Sequence, residues 1–392
     1  MDQFYVCSDI LGTDNLGLFV SQDGFTFLGR RPKDCWIVGK RAPNEFSLDD
    51  ALQLENNQVR LSPPEKFSKT IIGIPKGHRA KWPEMLPKRE FKSFINDLIK
   101  NIQESFHKND FRYYLNTWSK ITPIFSSFKR MAKVDSAIFQ AEVDASSFKP
   151  VNGFCESINY NRFGTRTGRL TITSGPQILT LKRDLRKFLR SRWGDNGVLL
   201  SFDFSALEVR LLTSDNTGSV SQEDPYLDLS FALNGELNRE RAKLALISTV
   251  YGATVQGLMK SLLVSQKDAQ KIHDVITQRY GVDLLVKKLR SEFTMNGYIR
   301  NRYFRKVEVP DPGDGQLLNS YLQSSGVDVA LLGFLEIINR LNPDWAIPVA
   351  VLHDALILDV SKEFASKIGS TLKVSVPGYD GKFPLKISEF NV

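Results

Sequence analysis

With 392 residues, 42% of them hydrophobic and 24% charged, the chain carries enough apolar material for a core of two or three subdomains, which excludes a disordered or fibrous protein. No uninterrupted apolar run approaches the ~18 residues of a membrane span and no basic-then-apolar leader opens the chain, so a soluble cytoplasmic protein without a membrane partner is expected. The net charge of +8 suits a polyanionic partner or simply solubility, while Cys7, Cys35 and Cys155, odd in number and far apart, suit a reducing compartment and offer no zinc spacing.

From the N-terminus, short β-favouring pieces (Phe4 to Cys7, Gly17 to Val20, Phe25 to Leu28, Cys35 to Val38) alternate with turn-rich segments, and a link bearing Pro and Lys runs from Ser62 to Pro87. Residues 1–87 therefore read as a small module, either scaffold or a docking surface. From Lys88 the pattern becomes helical: Phe91, Phe94, Ile95, Leu98, Ile99, Ile102 and Phe106 recur at three- and four-residue steps. A second helix follows with Tyr114, Leu115 and Trp118, and a third carries Phe125, Phe128 and Met131.

Between Arg162 and Arg192 nine Lys or Arg residues face a single acid, Asp184, a bias that favours a surface tracking phosphates over an ordinary solvated face. Leu199 to Phe202 then reads as a buried strand ending at Asp203, after which Leu207, Arg210 and Leu211 suit a helix. An Asp at a strand end either caps the next helix or offers oxygen to a hard cation, and alone it leaves both open. In Arg239 to Gly252 the residues Arg239, Lys243, Ile247 and Tyr251 step by four, winding slowly round a helix by roughly 40° per step. Two cations at one end and an aromatic at the other make a rack for a nucleoside triphosphate.

Helices are expected over Ser265 to Tyr280 and Val282 to Thr294, and again from near Gln316, with Asn319 and Gln323 one turn apart. Finally, Val349 to Val360 reads as two apolar strands joined by a tight turn whose tip carries His353 and Asp354. Asp203 and Asp354 can then lie side by side on one sheet, an arrangement suited to a two-metal phosphoryl-transfer site.

These segments, in this order, resemble the motifs of family A DNA polymerases, the group of bacterial polymerase I and its phage relatives. Asp203-Phe-Ser-Ala-Leu-Glu-Val-Arg210 is similar to motif A, Arg239 to Gly252 to motif B, His353-Asp354 to motif C, and Thr167-Gly-Arg-Leu170 to the TGRL segment. Asn319 and Gln323 resemble the pair that reads the minor groove of the new duplex. The resemblance covers about residues 150–392. It implies an α+β right-hand fold: a small module (1–87), a helical thumb (88–149), a palm with an antiparallel sheet (150–212 and 311–392) and helical fingers (213–310).

It further implies a DNA-directed DNA polymerase without an intrinsic 3′–5′ exonuclease, for which residues 1–87 are too short and carry no Asp-x-Glu pair. Asp203, Asp354 and the Phe204 carbonyl would hold two Mg²⁺ ions, with Mn²⁺ as a substitute. Arg239, Lys243, Ile247, Tyr251 and Glu208 would bind the dNTP, with Glu208 excluding the ribose 2′-hydroxyl. Arg169, Asn319, Gln323, His353 and Gly252 would meet primer-template DNA, and a separate exonuclease, helicase or processivity protein is an implied partner.

Three departures stand out. No histidine lies between Asp203 and Arg239, so phosphate binding is expected to rest on Arg239 and Lys243, with Arg241 or Lys182 as helpers. Ile247 stands where members carry Phe or Tyr, which implies discrimination against dideoxynucleotides. Ala355 replaces the usual acid after the motif C Asp, which implies weaker metal affinity. A non-catalytic subunit that holds primer-template is the alternative.

Overall fold

The computed structural model describes residues 3–11, 15–33, 35–39, 52, 87–132, 154–310 and 312–390. The link expected over 62–87 lies outside the described residues except for Pro87, as does the boundary expected at 149–150. The chain forms two compact units, Met1–Thr122 and Pro123–Val392.

In the first unit all four expected strands are present: β1 (Phe4–Val6), β2 (Gly17–Ser21), β3 (Gly24–Leu28) and β4 (Trp36–Val38). They lie in the order β3-β2-β1-β4, antiparallel except for the parallel β1–β4 pair. The helices α1 (Lys88–Phe106) and α2 (Asn109–Ile121) follow, and α1 buries Ile95, Leu98, Ile102 and Phe106, the stripe that the three- and four-residue spacing marks out.

The second unit is built on one sheet. Two short strands, β5 (Asn159–Asn161) and β6 (Thr171–Ser174), precede β7 (Gly197–Phe204), which leads into α3 (Leu207–Thr217). The helices α4 (Pro225–Ala232), α5 (Arg239–Val250), α6 (Val255–Leu262), α7 (Gln266–Arg279) and α8 (Val282–Asn296) come next. A minimal hairpin, β8 (Ile299–Arg300) and β9 (Lys306–Val307), then gives way to α9 (Asp314–Ile338). The strands β10 (Ala346–Leu352), β11 (Ala355–Ser361), β12 (Thr371–Ser375) and β13 (Lys382–Glu389) close the chain. Of the third helix expected around Phe125, only Pro123–Ser127 is helical, so Phe128 and Met131 lie beyond it.

The sheet order is β10-β11-β7-β13-β12, antiparallel throughout, which puts β7 at its centre. Side chains alternate along β7, so Phe202 and Phe204 point into the core while Asp203 takes the opposite, open face. The Phe204 ring lies 5.5 Å from that of Phe334 on α9 and 6.1 Å from that of Phe383 on β13. Gly333 on α9 leaves room for it, since a Cβ there would stand 2.7 Å from the Phe204 ring. By length and composition α9 could cross a membrane, but its most apolar window is 72% buried, the burial of a core helix. The mixed α+β class read from the sequence is the class observed.

Two buried clusters tie these parts together. Asp328 on α9 is fully buried, pairs with Arg162 beyond β5 and accepts a 2.6 Å hydrogen bond from Asn301 Nδ2 in the β8–β9 hairpin. Arg162 is thereby withdrawn from the basic surface expected over Arg162–Arg192. Asp359 on β11, also fully buried, accepts from Ser191 Oγ at 2.5 Å and from the Arg192 amide at 2.8 Å, anchoring the end of the same segment. Arg186 packs on the Phe390 ring at 4.8 Å. Of the nine basic residues, Arg166, Arg169, Lys182, Arg183, Lys187, Arg190 and Arg192 remain exposed.

Candidate active site

Register brings the two aspartates together. Asp203 on β7 stands opposite Ala355 on β11, and the Phe204 amide donates to the Asp354 carbonyl at 3.2 Å. Asp354 ends a two-residue turn between β10 and β11 in which His353 takes φ 57°. A non-glycine residue held there costs about 1–3 kcal/mol, a strain found where a turn must aim a functional group. A second such residue, Ala206 at φ 51°, turns the chain from β7 into α3. Asp203 does not cap that helix, which begins without a side-chain cap. The turn is fastened instead by the buried Arg210, whose Nε donates to the Ser205 carbonyl at 2.8 Å and whose Nη1 donates to the Ser221 carbonyl.

The result is a cleft of about 700 Å³ with a sheet wall and a helix wall. Asp203, Phe204, His353 and Asp354 line the first, and Arg239, Lys243, Ile247 and Tyr251 line the second. Arg169, Glu208 and Gln323 line it too. Asn319 and Gly252 do not. The Asn319 side-chain oxygen accepts from Gln323 Nε2 at 2.6 Å, and Gly252, at φ 83°, ends α5 against the backbone of Gly315.

Burial, then the neighbouring Asp354 carboxylate, push the Asp203 carboxyl up to about 6, against the pull of Lys243 and Lys386. Burial likewise raises Asp354, opposed by His353 and Arg169. Two carboxylates that resist ionising side by side are a natural seat for a cation, which would relieve both terms. In an extended strand a residue's amide and carbonyl point the same way, so the Phe204 carbonyl is also turned towards Asp354. Among the described residues no group of three or more His, Cys, Asp or Glu could hold a metal. Two carboxylates and a carbonyl fit Mg²⁺, which is usually held by one or two carboxylates together with substrate phosphates.

On the helix wall the cations differ. Arg239 donates from Nε and Nη2 to Asp224 Oδ2 at 3.0 and 2.8 Å and also pairs with Glu240 at 2.9 Å. Asp224 is the N-cap of α4, accepting from the Tyr226 amide at 2.8 Å, so one carboxylate joins the starts of α4 and α5. Arg241 turns elsewhere and donates to the Leu262 carbonyl at 2.6 Å. Neither Arg241 nor Lys182 lines the cleft.

Tyr226 is a residue the sequence reading missed. It lines the cleft at 6% exposure, with the Arg239 guanidinium 5.3 Å and the Lys243 ammonium 5.9 Å from its ring centre. Burial and then Asp224 push its hydroxyl up to about 12, so it stays a neutral donor. The signal available was the Asp224-Pro225 pair opening a helix, which places residue 226 on the first turn. Across the cleft, Tyr251 donates to Glu208, whose other oxygen stands 3.8 Å from Arg169. Burial raises the Glu208 carboxyl, while the Tyr251 bond and Arg169 hold it down.

The family profile of DNA polymerase family A matches residues 113–388. The chain is 27% identical over 215 residues to the DNA polymerase of Mycobacterium phage L5, covering 53% of this chain and 35% of that one. It is 24% identical over 259 residues to the thermostable DNA polymerase I of Thermus aquaticus, covering 58% of this chain and 30% of that one. The chain thus spans about a third of the length of these relatives. A solved structure of the POL domain of Pol1 from M. smegmatis, in complex with DNA primer-template and dNTP, superposes with a TM-score of 0.48 at 16% identity, over 88% of this chain and 63% of that one.

Proposed function

The chain belongs to DNA polymerase family A, and from that premise we propose that it is a DNA-directed DNA polymerase that adds dNTPs to a primer 3′-hydroxyl on a DNA template. The observation that carries the proposal is the convergence, in one cleft, of two carboxylates from adjacent strands and the four-residue stripe of α5. In this reading residues 150–212 and 311–392 act as palm, 213–310 as fingers and 88–149 as thumb, in a soluble intracellular enzyme.

Asp203, Asp354 and the Phe204 carbonyl would hold two Mg²⁺ ions, or Mn²⁺ in their place, and such ions lower the pKa of the attacking hydroxyl and neutralise charge on the departing pyrophosphate. The 3′-oxygen forms a bond to the α-phosphorus, the bond from that phosphorus to the bridging oxygen of pyrophosphate breaks, and the hydroxyl proton passes to solvent. Lys243 and Arg239 bind the triphosphate, with Arg239 held ready by Asp224. Glu208, fixed by Tyr251, fills the space of a ribose 2′-hydroxyl and selects deoxynucleotides. Arg169 and Gln323 meet the new base pair from the minor-groove side, where acceptors are common to all correct pairs.

Primer extension on a labelled primer-template with dNTPs and Mg²⁺, run beside Asp354→Ala and beside a ribonucleotide mix, tests the proposal. Extension that depends on dNTPs and vanishes in the variant is expected. Duplex binding without extension in either Mg²⁺ or Mn²⁺ would overturn it in favour of a non-catalytic primer-template subunit.

A further inference from the structure

The cleft's charges can be paired off one by one. Arg169 stands beside Glu208, and Arg239 is engaged by Asp224 and Glu240. What remains is two carboxylates, Asp203 and Asp354, and two lysines, Lys243 on α5 and Lys386 on β13. Among the described residues neither ammonium makes an ion pair or a hydrogen bond, although that of Lys243 lies 5.9 Å from the Tyr226 ring centre.

Lys386 owes its place to register. It stands directly opposite Asp203 on the neighbouring strand, on the side of β7 away from Ala355, so that Ala355, Asp203 and Lys386 form one row across the sheet. Facing residues in an antiparallel pair share one side of the sheet, which turns Lys386 into the cleft. An exposed strand lysine is often a guard against edge-to-edge pairing, but β13 is hydrogen-bonded on both sides, to β7 and to β12, and has no free edge to guard. Lys386 therefore faces Lys243 across the Asp203 carboxylate, a cation from the sheet wall against a cation from the helix wall. Both ammonium groups act on the Asp203 carboxylate, and a cation taken up by the two aspartates would leave the lysines to an entering anion.

We propose that Lys386 is a substrate-binding residue that grips the β,γ-phosphates of the incoming nucleotide, and the pyrophosphate after transfer, from the sheet side while Lys243 grips them from the helix side. The inference deepens the polymerase reading and rests on it for the identity of the nucleotide. A lysine serves here as a point charge, requiring proximity to the phosphates but no fixed hydrogen-bond geometry.

The test is binding of inorganic pyrophosphate to the free protein in Mg²⁺, followed by calorimetry, in wild type, Lys386→Ala and Lys386→Arg, with dNTP kinetics on the same proteins. Lys386→Ala is expected to weaken pyrophosphate binding about tenfold and to raise KM for dNTP by a similar factor with a smaller change in kcat, and Lys386→Arg to restore most of both, in line with the loss of one charge-assisted contact. Thermal unfolding in Mg²⁺ should change little, since the side chain is exposed. Pyrophosphate binding and KM unchanged in Lys386→Ala, with half-saturation by Mg²⁺ shifted to lower concentration, would overturn the inference, because Lys386 would then only offset the charge of the aspartates. Wild-type protein that binds no pyrophosphate would overturn it too. Pyrophosphate binding that depends on Lys386 in a protein that never extends a primer would instead sink the polymerase reading and leave the anion site standing.

Discussion

The two walls of the cleft are made by different physics. On the sheet wall, Asp203 and Asp354 are placed by backbone register: neighbouring strands fix both positions, and two left-handed residues, Ala206 and His353, aim the turns beside them. On the helix wall, Arg239, Lys243, Ile247 and Tyr251 share only a face of α5, and their side chains are held by partners such as Asp224, Tyr226 and Glu208. A backbone-placed group cannot be compensated by a neighbour, whereas a group placed by side-chain contacts can shift. The sheet wall should therefore fail completely when cut and the helix wall by degrees.

The largest effect is expected on the sheet. Asp203→Ala or Asp354→Ala should lower kcat by about 10³-fold or more while primer-template affinity stays within a few-fold, because the lost group acts on the transition state. Single-turnover extension beside a duplex-binding assay reads both, and residual activity above a few per cent in either variant would break the comparison. On the helix, Lys243→Ala should cost about 10²-fold in kcat/KM and Arg239→Ala clearly less, since Arg239 already spends much of its charge on Asp224. Equal losses measured by steady-state extension would show that the Asp224 pair dissolves when substrate binds.

Glu208→Ala should raise ribonucleotide incorporation about tenfold or more, measured as the ratio of rNTP to dNTP kcat/KM. Unchanged sugar selection would remove Glu208 from that role. Ile247→Tyr adds a ring and a hydroxyl and should lower discrimination against dideoxynucleotides several-fold in a chain-termination assay; no change there would detach residue 247 from the sugar.

The smallest effect concerns stability without metal. The folded Asp203 carboxyl, at about 6, lies above its ordinary 3.8, so its contribution to stability is present below pH 4 and is lost as pH rises through 6. In EDTA, Asp203→Asn should thus melt a few degrees higher than wild type at pH 7–8 and show a flatter Tm between pH 4 and 6, the shift being moderated by the solvent exposure of the carboxylate. Adding Mg²⁺ should raise the wild-type Tm and leave the variant unmoved. A variant that melts lower throughout would mean that Asp203 is stabilised by contacts rather than strained by its neighbour.

The difference between the walls also explains what could be read in the sequence. Asp203 and Asp354 end apolar strands, and the hairpin carrying His353 and Asp354 is local, so both were visible as breaks in a pattern. The stripe on α5 was legible because helical neighbours are four residues apart. Tyr226 and Lys386 were not, because each reaches the cleft through a long-range pairing: α4 against α5 by way of Asp224, and β13 against β7. The departure noted at residue 355 takes on meaning only with that register, which sets Ala355 on one side of Asp203 and Lys386 on the other. The commitment of Arg162 to Asp328 was likewise invisible, since a run of basic residues does not reveal which member has a buried partner 166 positions away.

Where α5 ends, Gly252 lies so close to Gly315 at the start of α9 that a Cβ on the first would stand 2.8 Å from the Cα of the second, and a Cβ on the second 2.7 Å from the Cα of the first. The obstacle in each case is main chain, which cannot rotate away as a side chain can. The two positions behave as one lock with two keyholes. Replacing either residue prises the helices apart, replacing both prises them further, and no second substitution at the partner glycine can rescue the first. In a library of variants this crossing would appear as two sites that are each intolerant and yet never covary.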